Sequence, residues 1–215
     1  DRVASRGLGD VYKRQEPSMK KTWMRRGMFK KGSKVPVDSI QFFDTVIHPG
    51  DAIASEEQGV DHSVEVKQVP PIILMKNEEM LSKEEARSRL GVPQLAEVWY
   101  VQLGAGQIND IDSEIRLTID ALLEHNSDLF IVIGESLLGK RVSFSNERVR
   151  ILRDYPNAIY FNGFDYSIQA GGYNSFHEMR ISRIPTIFYP NMNTGMDDQL
   201  ARCKVSVNEG WGVVV

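Results

Sequence analysis

One cysteine, Cys203, is all the thiol chemistry this 215-residue chain carries. A lone cysteine closes no intrachain disulfide and builds no cysteine-ligated zinc cluster, so a disulfide scaffold is excluded and a reducing compartment is not opposed. Long apolar runs are missing as well. No stretch approaches the roughly 20 residues a membrane-spanning helix needs, and the first residues lack the apolar core of a secretory signal. Charge of one sign is also scarce: 26 basic side chains stand against 29 acidic ones, for a formal net charge of −3, and the signs are interspersed. That balance gives no footprint of a nucleic-acid or anionic-membrane binder. What is present is a 41% share of hydrophobic residues, enough to build a core. The expectation is a soluble, cytoplasmic, globular protein.

The first fifteen residues, DRVASRGLGDVYKRQ, fit none of the patterns that follow. They resemble translated sequencing-adapter read-through, and Gly7 and Gly9 are not counted as a phosphate loop. From Lys20 to Lys34 a basic patch with interleaved aromatics reads as a solvated surface segment, because no basic residues elsewhere extend it into a nucleic-acid contact. FFDTVIHPGD predicts a buried strand from Phe42 to Ile47 closed by a Pro-Gly turn, and polar 52–68 suits a connector with a domain boundary in it or just after it.

Beyond that boundary the pattern becomes regular. Ser82 with Glu85 three positions on opens a helix that keeps its spacing through Ala86 and Leu90 and stops at Gly91. A strand from Val98 to Leu103 precedes a helix whose apolar face is Ile115, Ile119, Leu122 and Leu123. DLFIVIG and RVRILRDYP predict two more strands, and NAIYFNGF a short helix or turn. A strand (Tyr166 to Ala170), a helix (Tyr173 to Ser182) and a strand (Pro185 to Tyr189) come next, then a helix in DDQLARCKVSVNEG before GVVV. Strands apolar on both faces and alternating with helices predict an α/β fold, a doubly wound parallel sheet of Rossmann-like type. In such sheets ligands sit outside the carboxyl ends of the strands.

Three loops at those ends could carry chemistry. In LGAGQIND, Gly104 and Gly106 let a backbone pass close to a ligand, but Asn109 stands where a dinucleotide fingerprint needs its third glycine, so a tight turn is an equal reading. In QAGGYNSFHE, glycines follow a strand, Asn174 or Ser175 can cap a helix, and Glu178 lies one turn in. Unpaired N–H groups and the positive end of a helix suit a diphosphate, and a carboxylate one turn on suits vicinal hydroxyls such as those of a ribose. The competing reading of Glu178 is a plain capping box with Ser175. His177 reads as a packed or solvent-facing helix residue rather than a catalyst, and His48, beside a Pro-Gly turn, as structural. In the third loop, Asp197, Asp198 and Gln199 either cap a helix or hydrogen-bond the hydroxyls of a sugar. Asp110 and Asp112 resemble a D-x-D metal site but stand where helix caps are expected.

Taken in order, these loops resemble the C-terminal, donor-binding half of glycosyltransferases of two-Rossmann (GT-B) architecture, with family 28, that of lipid II N-acetylglucosaminyl transfer, the nearest likeness. The resemblance spans about Pro70 to Val215 and is carried by FDYSIQAGGYNSFHE with FYPNMNTGMDDQ. It implies a UDP-sugar donor, an unknown acceptor hydroxyl, inversion, and no metal or other cofactor. By carry-over Gly104, Ala105 and Gly106 would line the donor diphosphate or sugar, while Gly172, Tyr173, Asn174 and Ser175 would hold phosphate. Glu178 would take the ribose, Asp198 and Gln199 the sugar, and the segment from Arg153 to Asn157 the base. Residues 16–68 would then be a remnant of an acceptor-side domain and a connector, and 69–215 a nucleotide-sugar-binding domain that stops before the closing elements of the fold. The acceptor-side half would bring the general base, and the resemblance leaves room for peripheral membrane association or a partner subunit. Two other classes stay open: a nucleotide-sugar epimerase or hydrolase, and a non-catalytic docking subunit.

Overall fold

The structure is a computed structural model, which describes residues 18–25, 42–53, 64–104, 111–135, 141, 143–194 and 197–215. The chain divides into two compact units, Asp1–Ile72 with Gly195–Asp198, and Ile73–Thr194 with Gln199–Val215.

In the first unit three parallel strands, β1 (Thr22–Met24), β2 (Thr45–Pro49) and β3 (Glu65–Val69), lie in that order. Val46 and His48, two apart and therefore on one face of β2, are buried. The strand expected from Phe42 thus starts three residues later and runs on into Pro49. The stretch read as a connector contains β3, whose Glu65, Lys67 and Gln68 stay exposed on the outer strand and so give no apolar signal.

The second unit is built on six parallel strands, β4 (Val98–Gln102), β5 (Phe130–Gly134), β6 (Val149–Leu152), β7 (Tyr166–Gln169), β8 (Thr186–Phe188) and β9 (Gly212–Val214), in the order β6-β5-β4-β7-β8-β9. Strands β4 and β7 are adjacent although β5 and β6 intervene in sequence, so the winding reverses there. The connecting helices are α1 (Lys83–Leu90), α2 (Ile111–His125), α3 (Tyr173–Ser182) and α4 (Gln199–Asn208), with a short 3-10 segment at Asn157–Gly163. Alternate residues of the central strands feed two cores. Val98, Tyr100, Phe130 and Val132 pack with Ala86, Phe161, Phe164 and Met179, while Val101, Leu103, Ile131 and Ile133 pack with Ile115 and Ile119. The doubly wound α/β fold read from the sequence is the fold observed.

Local chemistry fixes the elements. Ser82 Oγ accepts the Glu85 N–H at 3.2 Å to start α1, and Gly91, at φ 64°, ends it. Phe176 of α3 meets Phe188 of β8 and Trp211 before β9, with ring centroids 5.7 and 5.4 Å apart, which seats α3 against that edge of the sheet.

Candidate functional site

Because all six strands run the same way, their carboxyl ends share one edge, and Gly104 after β4 and Gly171 after β7 follow the two strands that flank the reversal. Gly104 follows β4 at φ 100°, a backbone only glycine adopts readily. Ala105, Gly106 and Asp110 lie outside the described residues.

After β7 the two glycines divide the work. Gly171 sits at φ 74°, and a Cβ there would come within 2.3 Å of Cys203 Sγ, so the fold itself requires glycine. Gly172 has φ −60° and ψ 157°, open to any residue, and a Cβ there would meet nothing within 4 Å. It is Gly172 that caps α3: its carbonyl takes the Phe176 N–H at 2.9 Å. Asn174 and Ser175, expected as caps, are the second and third residues of the helix instead, because α3 already begins at Tyr173. No side chain caps the helix, and the amides of Asn174 and Ser175 find no acceptor among the described residues. Free donors at a helix start are what an anion needs.

The same shift rules out a Ser175–Glu178 capping box, since that motif needs its serine in front of the helix. Glu178 is mostly buried yet makes no hydrogen bond or ion pair with any described residue, and burial pushes its carboxyl up to about 7. Its charge also reaches the Tyr100 hydroxyl, whose pKa is raised first by burial and then by Glu178. Tyr100 Oη accepts from Asn157 Nδ2 at 3.2 Å, and Asn157 Oδ1, although buried, has no partner among the described residues. Nearby, Arg153 and Glu135 pair at 2.8 Å, and Tyr155 donates its hydroxyl to the Glu135 carbonyl. Tyr173 is buried, its ring 4.6 Å from that of His177, which is 1% exposed and also meets Phe176 edge-on. Of the packed and solvent-facing readings of His177, the packed one is observed.

Gln199, the first residue of α4, accepts the Asn191 N–H at 2.9 Å and so ties down the loop after β8, while its NH2 has no partner among the described residues. Asp197 and Asp198 immediately precede α4 and are half-buried. Asp112 is exposed in the first turn of α2. Among the described residues no group of three or more His, Cys, Asp or Glu could hold a metal, and no helix is long and apolar enough to cross a membrane.

Sequence reasoning passed over Arg202, which is 0% exposed in α4, donates from Nη1 to the Gly171 carbonyl at 3.1 Å and lies 5.8 Å from the Tyr173 ring centroid. The signal was there: Gln199, Cys203 and Ser206 mark the buried stripe of α4, and an arginine stands on it at i+3 from Gln199.

No family model matches the chain, and no curated protein matches it in sequence. Solved structures do. The glycotransferase of kitacinnamycin aligns over 99% of this chain and 49% of its own, with a TM-score of 0.56 at 14% identity. The spinosyn forosaminyltransferase SpnP aligns over 83% and 43%, with a TM-score of 0.51 at 15% identity. The chain shares their fold, a Rossmann-like α/β architecture of GT-B type. It spans less than half the length of either structure.

Proposed function

We propose that this chain holds the donor end of a glycosyl transfer: it binds a nucleoside diphosphate sugar, UDP-linked by preference, whose C1 is attacked by an acceptor hydroxyl. The observation that carries the reading is Glu178, a largely buried carboxylate with no partner among the described residues, one turn beyond a helix start that has no side-chain cap and whose Gly172 leaves the approach open. The Asn174 and Ser175 amides bind the diphosphate, and the Glu178 carboxylate accepts the ribose hydroxyls. The carboxamide of Gln199 turns its spare N–H groups to the sugar, and the segment from Arg153 to Asn157 faces the base. Likeness to the two solved glycosyltransferases supports transfer as the reaction class; the UDP and family 28 preference rests on the sequence motifs alone.

In the reaction the bond from C1 to the β-phosphate oxygen breaks as the acceptor oxygen bonds to C1 from the opposite face, inverting the centre, and the acceptor proton passes to a general base. Charge builds on the departing diphosphate, where fixed main-chain N–H groups stabilise it more in the transition state than in the ground state. Calorimetric titration of UDP into the wild type and Glu178→Ala tests the reading. Binding that weakens at least tenfold in the variant is expected; no heat from the wild type with UDP or any other nucleoside diphosphate would overturn it.

A further inference from the structure

We infer that Arg202 is a positioning residue for diphosphate: from behind the loop it locks the Gly171–Gly172 peptide so that the Gly172 N–H joins the donors facing the anion. This rests on the proposed donor site and names a device within it. The Gly171–Gly172 peptide is trans, and in a trans peptide the carbonyl and the following N–H point in opposite directions. Its carbonyl is held by the Arg202 guanidinium, which is fully buried. The Gly172 N–H is therefore turned away from the protein interior on that side, and it meets no acceptor among the described residues. Outside Gly172 the space is open.

Three features make this more than incidental packing. A buried guanidinium is expensive to desolvate, so its retention calls for compensating contacts. Its planar fork can hold a carbonyl and lie against a ring at once, as it does with Gly171 and Tyr173, whereas an ammonium cannot reproduce both. And the peptide it grips is flanked by two glycines, the residues whose backbone turns over most easily, so without the grip the Gly172 N–H and the Gly171 carbonyl could exchange places. A carbonyl aimed at the anion would repel it.

The test compares uridine, UDP and inorganic pyrophosphate on the full chain as wild type, Arg202→Lys, Arg202→Gln and Arg202→Met, with the Gly172 amide followed by NMR on glycine-labelled protein. In the wild type, pyrophosphate and UDP shift the Gly172 amide, and UDP binds well above uridine. In Arg202→Met the UDP-over-uridine preference drops about tenfold, uridine affinity stays within about twofold, and the amide no longer responds; Arg202→Lys recovers only part. If Arg202→Met keeps both the preference and the amide shift, the inference is overturned while the donor reading stands. Should the wild type bind pyrophosphate with a Gly172 amide shift that is lost in Arg202→Met, but bind no nucleotide, the inference stands and the donor reading falls; should it bind neither, both fall. Arg202→Gln carries the comparison if Arg202→Met does not fold, and failure of both to fold marks the arginine as a strut and overturns the inference.

Discussion

Two adjacent glycines make opposite predictions. Gly171→Ala forces a side chain into left-handed backbone and against Cys203 Sγ, and should cost roughly 2–4 kcal/mol of stability in denaturant melts. Gly172→Ala meets open space in an ordinary conformation and should change stability by less than about 1 kcal/mol. The added methyl stands at the anion's approach, so UDP affinity should fall about tenfold or more by calorimetry. Equal stability losses at the two positions would contradict the division of labour. Glu178 makes a third case. Its folded pKa, about 7, lies above the ordinary carboxyl value, so the folded chain holds a proton the unfolded chain has released, and stability declines as pH rises from about 4.5 to 7. Glu178→Gln, neutral and of the same shape, should remove that decline and stabilise the chain at pH 8 by up to about 3 kcal/mol. The same proton competes with the ribose: the ratio of UDP affinity at pH 8 to that at pH 6 should be about tenfold larger in the wild type than in Glu178→Gln, where only the terminal phosphate of the ligand still titrates. A substitution that stabilises the fold and weakens the ligand is the expected mark of a binding carboxylate.

At the scale of elements, legibility followed how local the signal was. The start and end of α1 could be read because Ser82 and Gly91 act within one turn, and the buried strands β4 and β5 because they are apolar on both faces. The edge strand β3 was hidden because pairing with β2, not its own composition, makes it a strand. The cap of α3 was misplaced for a related reason. Asn174 and Ser175 are better cappers than glycine by propensity, yet the strand ahead and the Gly171 turn set the helix start at Tyr173. The tie between α1 and the foot of the sheet was equally illegible: buried Arg87 donates to the carbonyls of Gly163 and Ala96 at 3.0 and 2.8 Å and to Asp165 at 2.6 Å. Asp165 also takes the Val98 N–H at 2.9 Å. Burial pushes its carboxyl up, but the bonds from Lys83 and Val98 and the charges of Arg87 and Lys83 outweigh that and hold it low, so stability is lost as pH falls below the ordinary carboxyl range. Arg87→Met, which strands those carbonyls and loosens Asp165, should cost roughly 3–5 kcal/mol in thermal or urea unfolding while UDP still binds at low temperature. The partners lie up to 78 positions apart in sequence, beyond what any local pattern encodes.

For the whole molecule the informative fact is how little charge it has to offer. A chain of formal net charge −3 provides no long-range attraction for an anionic donor, so recognition has to be made at short range. The groups gathered at the start of α3 suit that: main-chain amides, a helix dipole and a guanidinium with no exposure to solvent. Salt screens exposed charges strongly and buried ones weakly. UDP affinity should therefore fall less than about threefold between 50 and 500 mM salt, whereas a site made of surface lysines and arginines would lose far more over that range. Calorimetry at the two salt concentrations measures the difference directly, and a steep slope would move the anion away from Gly172 to exposed cations. The same titration fixes the thermal response, because a ligand bound only by the folded state at a hundred times its dissociation constant adds about 2.7 kcal/mol. A shallow salt slope together with that gain in unfolding free energy would place the diphosphate on main-chain donors that the fold, rather than the surface charge, has arranged.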